Sequence, residues 1–542
     1  MSALDTKALK KRFKKCSIRK EHWRAIYEEA YEYCLPMRNL YDGYYEQDLP
    51  GQNKMKRVFD STAINSTARF ANRIQSALFP PQQSWCRLIP GTNVPEEAKV
   101  ETQQALDFAT EMMFSLMRQS GFDIAIGEFL LDLAVGTAVM LVQKGDDVQR
   151  IKYQAIPMYH ITFDHGPDNK PNFVFRKFRR PYEVVEKEFP GVVFPPEVQA
   201  KYQEDPMKYI ELLEATYPDE ETGGFNYCIV TMEGDHKILH KHLKSSPWII
   251  SRFMVAPGEI YGRGPCLYAL PDIKTLNKVI ELNLKNASIS IGGVFTAVDD
   301  GVFNPQTAKI QPGAIIGVSS NGGPRGPSLA PLPRSGDPSM SSVIAQEYRM
   351  NIKKILLDES LPPDNMSART ATEIVERMKE LSQNLGAAFG RLISETMYPI
   401  VRRTLELMDE EKIIDLADLK VNGQEISIEP QSPLARANNM EKVQNVLQFM
   451  QIAQSFGGAG FGLIKPEKVG DYILDQMGID ASLRTTPEER QAILQQIQAQ
   501  QQAQAQAEMQ QAQQAQQAAS QESPTEQPIE EGVTPDEAAT LN

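Results

Sequence analysis

Cysteine is scarce in this chain, with five residues in 542, and their spacing shows no pairs. An odd number of scattered cysteines argues against a disulfide framework and fits a reducing compartment. Long apolar runs are missing too, since none approaches the roughly 18 residues that a membrane-spanning helix needs. We therefore expect no transmembrane segment. The basic stretch near the N-terminus lacks an apolar core, so we also expect no signal peptide.

The chain also lacks the common catalytic motifs. It contains no phosphate-binding loop of the form G-x-x-x-x-G-K-[ST] and no serine framed as G-x-S-x-G, which argues against a P-loop ATPase and an α/β-hydrolase. One cluster has metal-binding residue types: His236, His240 and His242, with Cys228 near in sequence. Its spacing matches no zinc template, and a polar hairpin explains the histidines equally well. We expect no enzymatic activity, no metal and no cofactor.

Positive charge is in deficit, with 57 Lys and Arg against 70 Asp and Glu and a net charge of −13. Domains that read a nucleic-acid sequence or hold its backbone tightly are basic, so this balance argues against both activities. It remains compatible with a channel through which DNA slides without sticking. The basic residues near the N-terminus are a local exception: Lys7, Lys10, Lys11, Arg12, Lys14 and Lys15.

Two amphipathic helices form the most distinctive part of the sequence. Apolar residues recur every three or four positions from Leu267 to Ile291, which predicts a helix over about 265–290. Asp337 followed by Pro338 is a helix start signal, and it predicts a second helix to about residue 358. Each would be roughly 30 Å long, so the two can lie side by side as a stalk. A Gly/Pro-rich excursion of 46 residues, 291–336, then projects from its far end.

The remaining patterns predict a body of several domains, because 542 residues exceed one core. Helices are expected at 5–46 with a break near Pro36, at 60–79 with Asp60 or Ser61 as the cap, and at 97–120 and 122–135. Strands are expected at 139–142, 173–178, 227–232 and 248–255, with a turn at Gly234-Asp235. Further helices are expected at 371–409 with a kink at Pro399, at 435–455 and at 466–477. The fold class is mainly α with β, that is, α+β.

The C-terminal segment differs from the rest, since fifteen of the 27 residues from Gln491 to Gln517 are glutamine. Such a stretch has helix propensity but almost no apolar anchors. Two interpretations stay open for the segment 488–542. It is either a solvated, partly helical tail or a helix that self-associates when many copies are held together.

Several short motifs occur in an order that resembles the portal, or head-to-tail connector, proteins of short-tailed bacteriophages. The first are Ala77-Leu-Phe-Pro80 and Trp85-Cys-Arg-Leu88, followed by a helix–Gly136–strand step. Gly258-Glu-Ile-Tyr-Gly-Arg263 then precedes a long helix, and Arg369-Thr370 with Thr372-Glu373-Ile374 precedes another. The similarity runs over most of residues 1–480.

The resemblance implies a ring of twelve subunits around a DNA channel, each built from a wing, stem, clip and crown. Carried onto this chain, the implied parts are as follows: wing 1–264 and 371–432, stem helices 265–290 and 337–358, clip 291–336, tunnel loop 359–370, crown 433–487 and the Gln/Ala-rich tail 488–542.

The resemblance also suggests which residues have functional roles. Lys353, Lys354, Asn365 and Arg369 become candidates for the channel lining, although a solvated helix face and a salt bridge explain the charged residues among them equally well. Arg325 and Arg334 become candidates for docking partners on the clip. Leu276, Ile280 and Ile352 are the expected packing residues of the stem, because a stalk cannot bury its apolar stripe alone.

The expected function is a channel at one capsid vertex for packaging and ejecting double-stranded DNA. The implied partners are other copies of the chain, the DNA, the terminase packaging motor, tail adaptor proteins, and the capsid and scaffolding proteins. The implied location is the virion, and the host cytoplasm during assembly. Two alternatives stay open: a cytoplasmic oligomeric scaffold with a Gln-rich interaction tail, and a metal-dependent hydrolase centred on the three histidines.

Overall fold

A computed structural model describes residues 5–38, 57–91, 96–166, 170–189, 196–203, 207–219, 223–292, 295–297, 329–331, 338–358, 385–414 and 426–455, with single positions besides. The chain divides into two units, residues 1–478 and 479–542. The first unit contains all the ranges above. The second, which includes most of the Gln/Ala-rich tail, lies almost wholly outside the described residues.

Helices predominate in the first unit, as the fold class predicted. The helices discussed below are α1 (Thr6–Cys34), α2 (Thr62–Leu78), α3 (Glu96–Gln119), α4 (Phe122–Val135), α5 (Tyr182–Glu188), α6 (Pro196–Gln203), α7 (Pro265–Gly292), α8 (Pro338–Ile355), α9 (Ala387–Leu392), α10 (Tyr398–Glu410) and α11 (Pro433–Ser455). Within the described ranges, none of them combines the length and the apolar character that crossing a bilayer requires.

The first four helices lie where the sequence predicted them. Helix α1 ends at Cys34, and a short 3₁₀ turn begins at Pro36, which confirms the predicted break; residues 39–46 of the predicted helix lie outside the described residues. Ser61 is the N-cap residue of α2, but the Asp60 side chain makes the capping hydrogen bond, accepting the Thr62 N–H at 2.8 Å. The expected helices at 97–120 and 122–135 are α3 and α4.

The strands form four antiparallel sheets in the described residues. They are β1 (Cys86–Pro90), β2 (Thr137–Lys144), β3 (Ile151–Ile156), β4 (Ile161–His165), β5 (Pro171–Pro181), β6 (Tyr209–Pro218), β7 (Phe225–Thr231), β8 (Lys237–Leu243), β9 (Trp248–Arg252), β10 (Phe295–Ala297), β11 (Leu329–Pro331) and β12 (Ile426–Pro430). The orders are β4-β5-β6-β7-β8, β3-β2-β9, β1-β12 and β10-β11.

Both faces of the five-stranded sheet are covered. Leu9 and Cys16 of α1 pack on one face, in a cluster with Leu213 of β6. On the other face, α5 and α6 pack against Leu212. A strand buried on both faces does not alternate apolar and polar residues, which is why the sequence pattern did not reveal β6.

Helices α7 and α8 pack against each other. The helix predicted over 265–290 is confirmed and ends at Gly292, and α8 begins at Pro338 as predicted. Between them, Phe295–Ala297 pairs antiparallel with Leu329–Pro331, so the excursion starts and ends as a two-stranded ribbon. The rest of the excursion lies outside the described residues.

The single helix predicted over 371–409 is wrong in its described part. Gly386 has φ +47°, which interrupts the helix before Ala387. A π-helical turn, Ile393–Met397, separates α9 from α10, and Pro399 falls in the first turn of α10. The backbone stays helical from Ala387 through this turn, so Pro399 lacks an N–H that would donate to the preceding turn, and its ring crowds the carbonyl of Glu395. The irregularity therefore lies one turn before the proline, where the kink predicted at Pro399 should act.

One large core joins distant parts of the chain. It contains apolar side chains of α2, α3 and α4, of α7 and α8, and of α9 and α10. The antiparallel pair of β1 with β12 adds a second link between the beginning and the end of the body. The helix predicted at 435–455 is confirmed as α11, whereas 466–477 lies mostly outside the described residues.

Candidate functional site

Glycines at the start of α7 allow three backbone segments to meet. The Gly264 N–H donates to the Val135 carbonyl at 2.9 Å, directly before the turn at Gly136. A Cβ on Gly264 would lie 2.2 Å from the Ala134 oxygen, and one on Gly262 would lie 2.3 Å from the Gly136 oxygen. Both distances are shorter than any real Cβ contact. The Gly-x-Gly pair therefore fixes where α7 leaves the body.

Buried polar groups secure the same junction. The Tyr27 hydroxyl of α1 donates to the Gly262 carbonyl at 2.8 Å, and the Gly262 N–H donates to the Thr137 hydroxyl at 2.8 Å. The Arg252 guanidinium donates to the Ile260 carbonyl and pairs with Glu395 at 2.6 Å. Because Glu395 lies in the π-helical turn, this irregular turn connects the C-terminal helices to the base of α7.

The half of the helix pair nearest the body packs into the core of its own subunit. Ile273, Leu276, Ile352 and Leu356 are at most 1% exposed, and Ile280 packs half-buried against the same cluster. We predicted that Leu276 and Ile352 would depend on neighbouring subunits for burial. That reasoning is wrong, because α2 and the helices of the body already cover them.

Polar contacts tie this half to the start of α2. The Asn277 side-chain oxygen accepts the backbone N–H groups of Phe59 at 2.7 Å and Asp60 at 3.0 Å. Arg349 of α8 donates to Asp60 Oδ2 through Nε at 2.9 Å and Nη2 at 2.8 Å. Burial acts to raise the pKa of Asp60, but its hydrogen bonds with Thr62 and the Arg349 pair outweigh burial and lower it.

The C-terminal end of α8 is closed by a Schellman motif with a leucine in the left-handed position. The Asp358 N–H donates to the Lys353 carbonyl at 2.7 Å, and the Leu357 N–H donates to the Lys354 carbonyl at 3.1 Å. Leu357 has φ +54°, a conformation that a side chain with a Cβ rarely adopts. Tertiary contacts must therefore hold this residue in place.

Helix α2 supplies those contacts. The buried Asp358 carboxylate accepts a hydrogen bond from the Ser66 hydroxyl at 2.8 Å and pairs with Arg69 at 3.3 Å. Arg73 donates to the Leu357 carbonyl. We call these contacts of α2 with Leu357 and Asp358 the latch. The sequence alone did not predict it. The signal that could have indicated it is a polar stripe on α2 formed by Ser66, Arg69 and Arg73, which are three or four residues apart and therefore share one face.

The half of the helix pair farther from the body is exposed. Leu284, which belongs to the predicted apolar stripe, is 53% exposed, and Leu282 is equally exposed. Leu282 and Leu284 are two residues apart and therefore lie on different sides of α7. On α8, Met340 is 67% exposed and Val343 68%, and the two lie three residues apart on one helical face. Exposed apolar side chains on two adjacent helices mark an interaction surface. We call these four residues the distal apolar surface.

The predicted channel and docking residues fall partly within the structure. Lys353 and Lys354 are exposed near the C-terminal end of α8, and no ion pair of either ammonium group is found in the described part of the chain. Asn365 and Arg369 lie outside the described residues. The same holds for the predicted clip residues Arg325 and Arg334. Their assignments stay predictions.

The histidines considered for a metal site lie on and beside β8. His240 lies opposite the buried Cys228, and its Nε2 is 3.1 Å from the Asn226 side-chain oxygen. His242 Nδ1 lies 3.5 Å from an Asp219 carboxylate oxygen. Among the described residues, the structure assembles no group of three or more His, Cys, Asp or Glu side chains suited to a metal ion. The strand pairing and the polar partners of His240 and His242 are those of a polar hairpin.

Comparison with known proteins identifies the family. Residues 6–484 match the model of the bacteriophage head to tail connecting proteins. The chain therefore belongs to this family.

Named relatives agree with this family. The chain is 22% identical over 530 residues to a probable portal protein of Bordetella phage BPP-1, covering 91% of each sequence. It is 21% identical over 449 residues to the portal protein of Enterobacteria phage T3, covering 79% of each. Among solved structures, the virion of a native gene transfer agent particle matches with 13% identity and a TM-score of 0.30, over 78% of this chain and 94% of that one.

Proposed function

We propose that this protein is the subunit of a ring-shaped portal that connects a phage head to its tail and surrounds a channel for double-stranded DNA. Membership of the head-to-tail connecting family and the similarity to portal proteins support the proposal. The observation that carries it in the structure is the distal apolar surface. A monomer would leave this surface in water, whereas packing of neighbouring subunits around a closed ring would bury it.

Within this proposal, α7 and α8 form the stem and the excursion 291–336 forms the clip. The wing combines residues 1–264 with 371–432, consistent with their common core and the β1–β12 pair. Residues 359–370 form the tunnel loop, 433–487 the crown and 488–542 the tail. The ring has twelve copies.

DNA passes the stem close to Lys353 and Lys354, and passes the tunnel loop at Asn365 and Arg369. Arg325 and Arg334 on the clip face the terminase motor during packaging and tail adaptor proteins afterwards. The protein does no catalysis in this role. It sits at one vertex of the virion beside the capsid and scaffolding proteins, after assembly in the host cytoplasm.

Electron microscopy of the purified protein, viewed end-on, tests the proposal directly. We expect rings with a central hole, and native mass spectrometry should give one closed stoichiometry near twelve. A monomer or small oligomer without a hole under all conditions would refute the portal and favour a cytoplasmic scaffold. Stoichiometric bound zinc, together with hydrolysis lost on His240→Ala, would favour a hydrolase instead.

A further inference from the structure

The N-terminal half of α1 carries the strongest concentration of positive charge in an otherwise acidic protein. Residues 6–20 contain eight Lys and Arg and no Asp or Glu, whereas the whole chain has a net charge of −13. Asp5 precedes this stretch and Glu21 follows it. A bias this strong within fifteen consecutive residues is unusual for an ordinary solvated helix face, which mixes both signs.

The cations on the inner side of this helix are paired with the five-stranded sheet and the turns around it. Lys10 pairs with Asp235 at 2.7 Å, and Arg12 and Arg19 both pair with Asp164, at 3.2 and 2.8 Å. These residues flank the apolar side chains that fix α1 to the sheet. Their role is to hold the helix in place.

The cations on the outer side are not used in this way. Lys7, Lys11 and Lys14 lie on the face opposite the buried Leu9 and Cys16, with Lys15 at its edge, and all four lysines are exposed. Within the described residues, none of the four has a carboxylate partner. Lys7 acts on one carboxylate without pairing with it. The hydrogen bond and charge of Lys10 lower the pKa of Asp235, and the charge of Lys7 adds to this effect.

We infer that this outer face binds the phosphate backbone of duplex DNA without sequence preference. The four lysines (Lys7, Lys11, Lys14 and Lys15) form what we call the lysine face. Protein–protein interfaces are depleted in Lys and centred on Tyr, Trp and Arg, and the one large apolar side chain on this face is Ile18, which is 59% exposed. Flexible point charges at intervals of about one helical turn instead suit a regular row of phosphates.

This inference rests on the proposed portal function for the source of the DNA, and it adds a second contact to that function. The channel candidates lie on α8 and in the linker after it, whereas the lysine face lies on the outer side of α1, which packs on the five-stranded sheet of the body. The channel would guide DNA by position. The lysine face would hold a segment of duplex against the body by charge.

The test measures binding of the full-length rings to a fluorescent 40-base-pair duplex of arbitrary sequence, between about 50 and 200 mM salt. In the variant, Lys7, Lys11, Lys14 and Lys15 are all changed to Gln. In the matched control, the four changed lysines are Lys144, Lys152, Lys187 and Lys244, which are exposed but already paired with carboxylates. Both variants lose the same net charge.

If the four lysines each neutralise one phosphate, the wild type should lose about 100-fold more affinity than the variant over this salt range. The control should keep the wild-type salt dependence. Equal behaviour of variant and control would overturn the inference, as would α1-dependent binding to polyglutamate but not to DNA, because the partner would then be an acidic protein. Ring formation seen by microscopy is scored separately, so failure here is distinguishable from failure of the portal proposal.

Discussion

The two halves of the α7–α8 pair differ in the burial of their apolar side chains, although one amphipathic pattern runs through both. Near the body, Leu276 and Ile352 are fully buried and polar contacts fix both helices to α2. Farther out, Leu284 and Val343 continue the apolar character but remain more than half exposed. The near half therefore belongs to the folding of one subunit. The far half has apolar side chains that no described part of the chain covers.

The largest expected effect comes from placing a charge in the near half. Leu276→Asp or Ile352→Asp should abolish the folded subunit, since each loses core contacts worth about 2–5 kcal/mol and buries an unpaired carboxylate. The total stability of a domain is typically about 5–15 kcal/mol. Circular dichroism and solubility measure the outcome. Leu276→Met is the control and should cost less than about 1.5 kcal/mol.

The same substitution in the far half should act on assembly instead of folding. Leu284→Asp and Val343→Asp should change subunit stability by no more than about 0.5 kcal/mol, because both side chains are exposed. Rings should nevertheless be lost, since the charge would recur at every interface. Native mass spectrometry compares each variant with Leu284→Met. Normal rings in both Asp variants would show that this surface faces solvent in the assembly.

A smaller effect is expected at the latch that ends α8. Asp358→Ala removes a hydrogen bond to Ser66 and a charged partner of Arg69, which should cost about 1.5–3 kcal/mol because the carboxylate is buried. Arg69→Gln should cost less than about 1 kcal/mol, since the arginine is largely exposed. Hydrogen exchange should accelerate at Leu357 and Asp358 in the first variant. Unchanged exchange would mean that the Schellman motif holds without its α2 partners.

The effect that is smallest at neutral pH comes from His160 in the body, and it grows as the pH falls. Burial, with help from Arg176, Lys20 and Arg180, lowers the pKa of His160 to about 4. The unfolded chain, with an ordinary value near 6.5, then binds this proton while the folded chain does not. Stability from this group is therefore complete above about pH 6.5 and falls as the pH drops toward 4.

His160→Gln should remove that part of the pH dependence, whereas His22→Gln on the exposed face of α1 should not. Thermal unfolding at several pH values measures the difference from wild type. Because His160 lies in the body, in the turn between β3 and β4, the difference should be the same in rings and in assembly-defective variants. A pH dependence seen in rings alone would place His160 near a subunit interface.

The sequence by itself predicted much of the secondary structure, because the signals are local. Periodicity gave α7 and α8, the Asp337-Pro338 start signal gave the first residue of α8, and the break near Pro36 was found as expected. The order of short motifs indicated the family, which the match over residues 6–484 confirms. Gly262 belongs to one of those motifs and Gly264 directly follows it, but the need for glycine at both positions appears only when residues 134–136 lie against them.

Tertiary structure decided which apolar and charged residues are satisfied within the subunit. Leu276 and Leu284 belong to one stripe and look equivalent in sequence, yet the body covers the first and leaves the second exposed. Lys10 and Lys11 are neighbours in a basic run, yet Asp235 neutralises the first and the other faces water. Periodicity fixes which residues share a helix face. Burial and ion pairing depend on partners more than a hundred residues away, which no local pattern specifies.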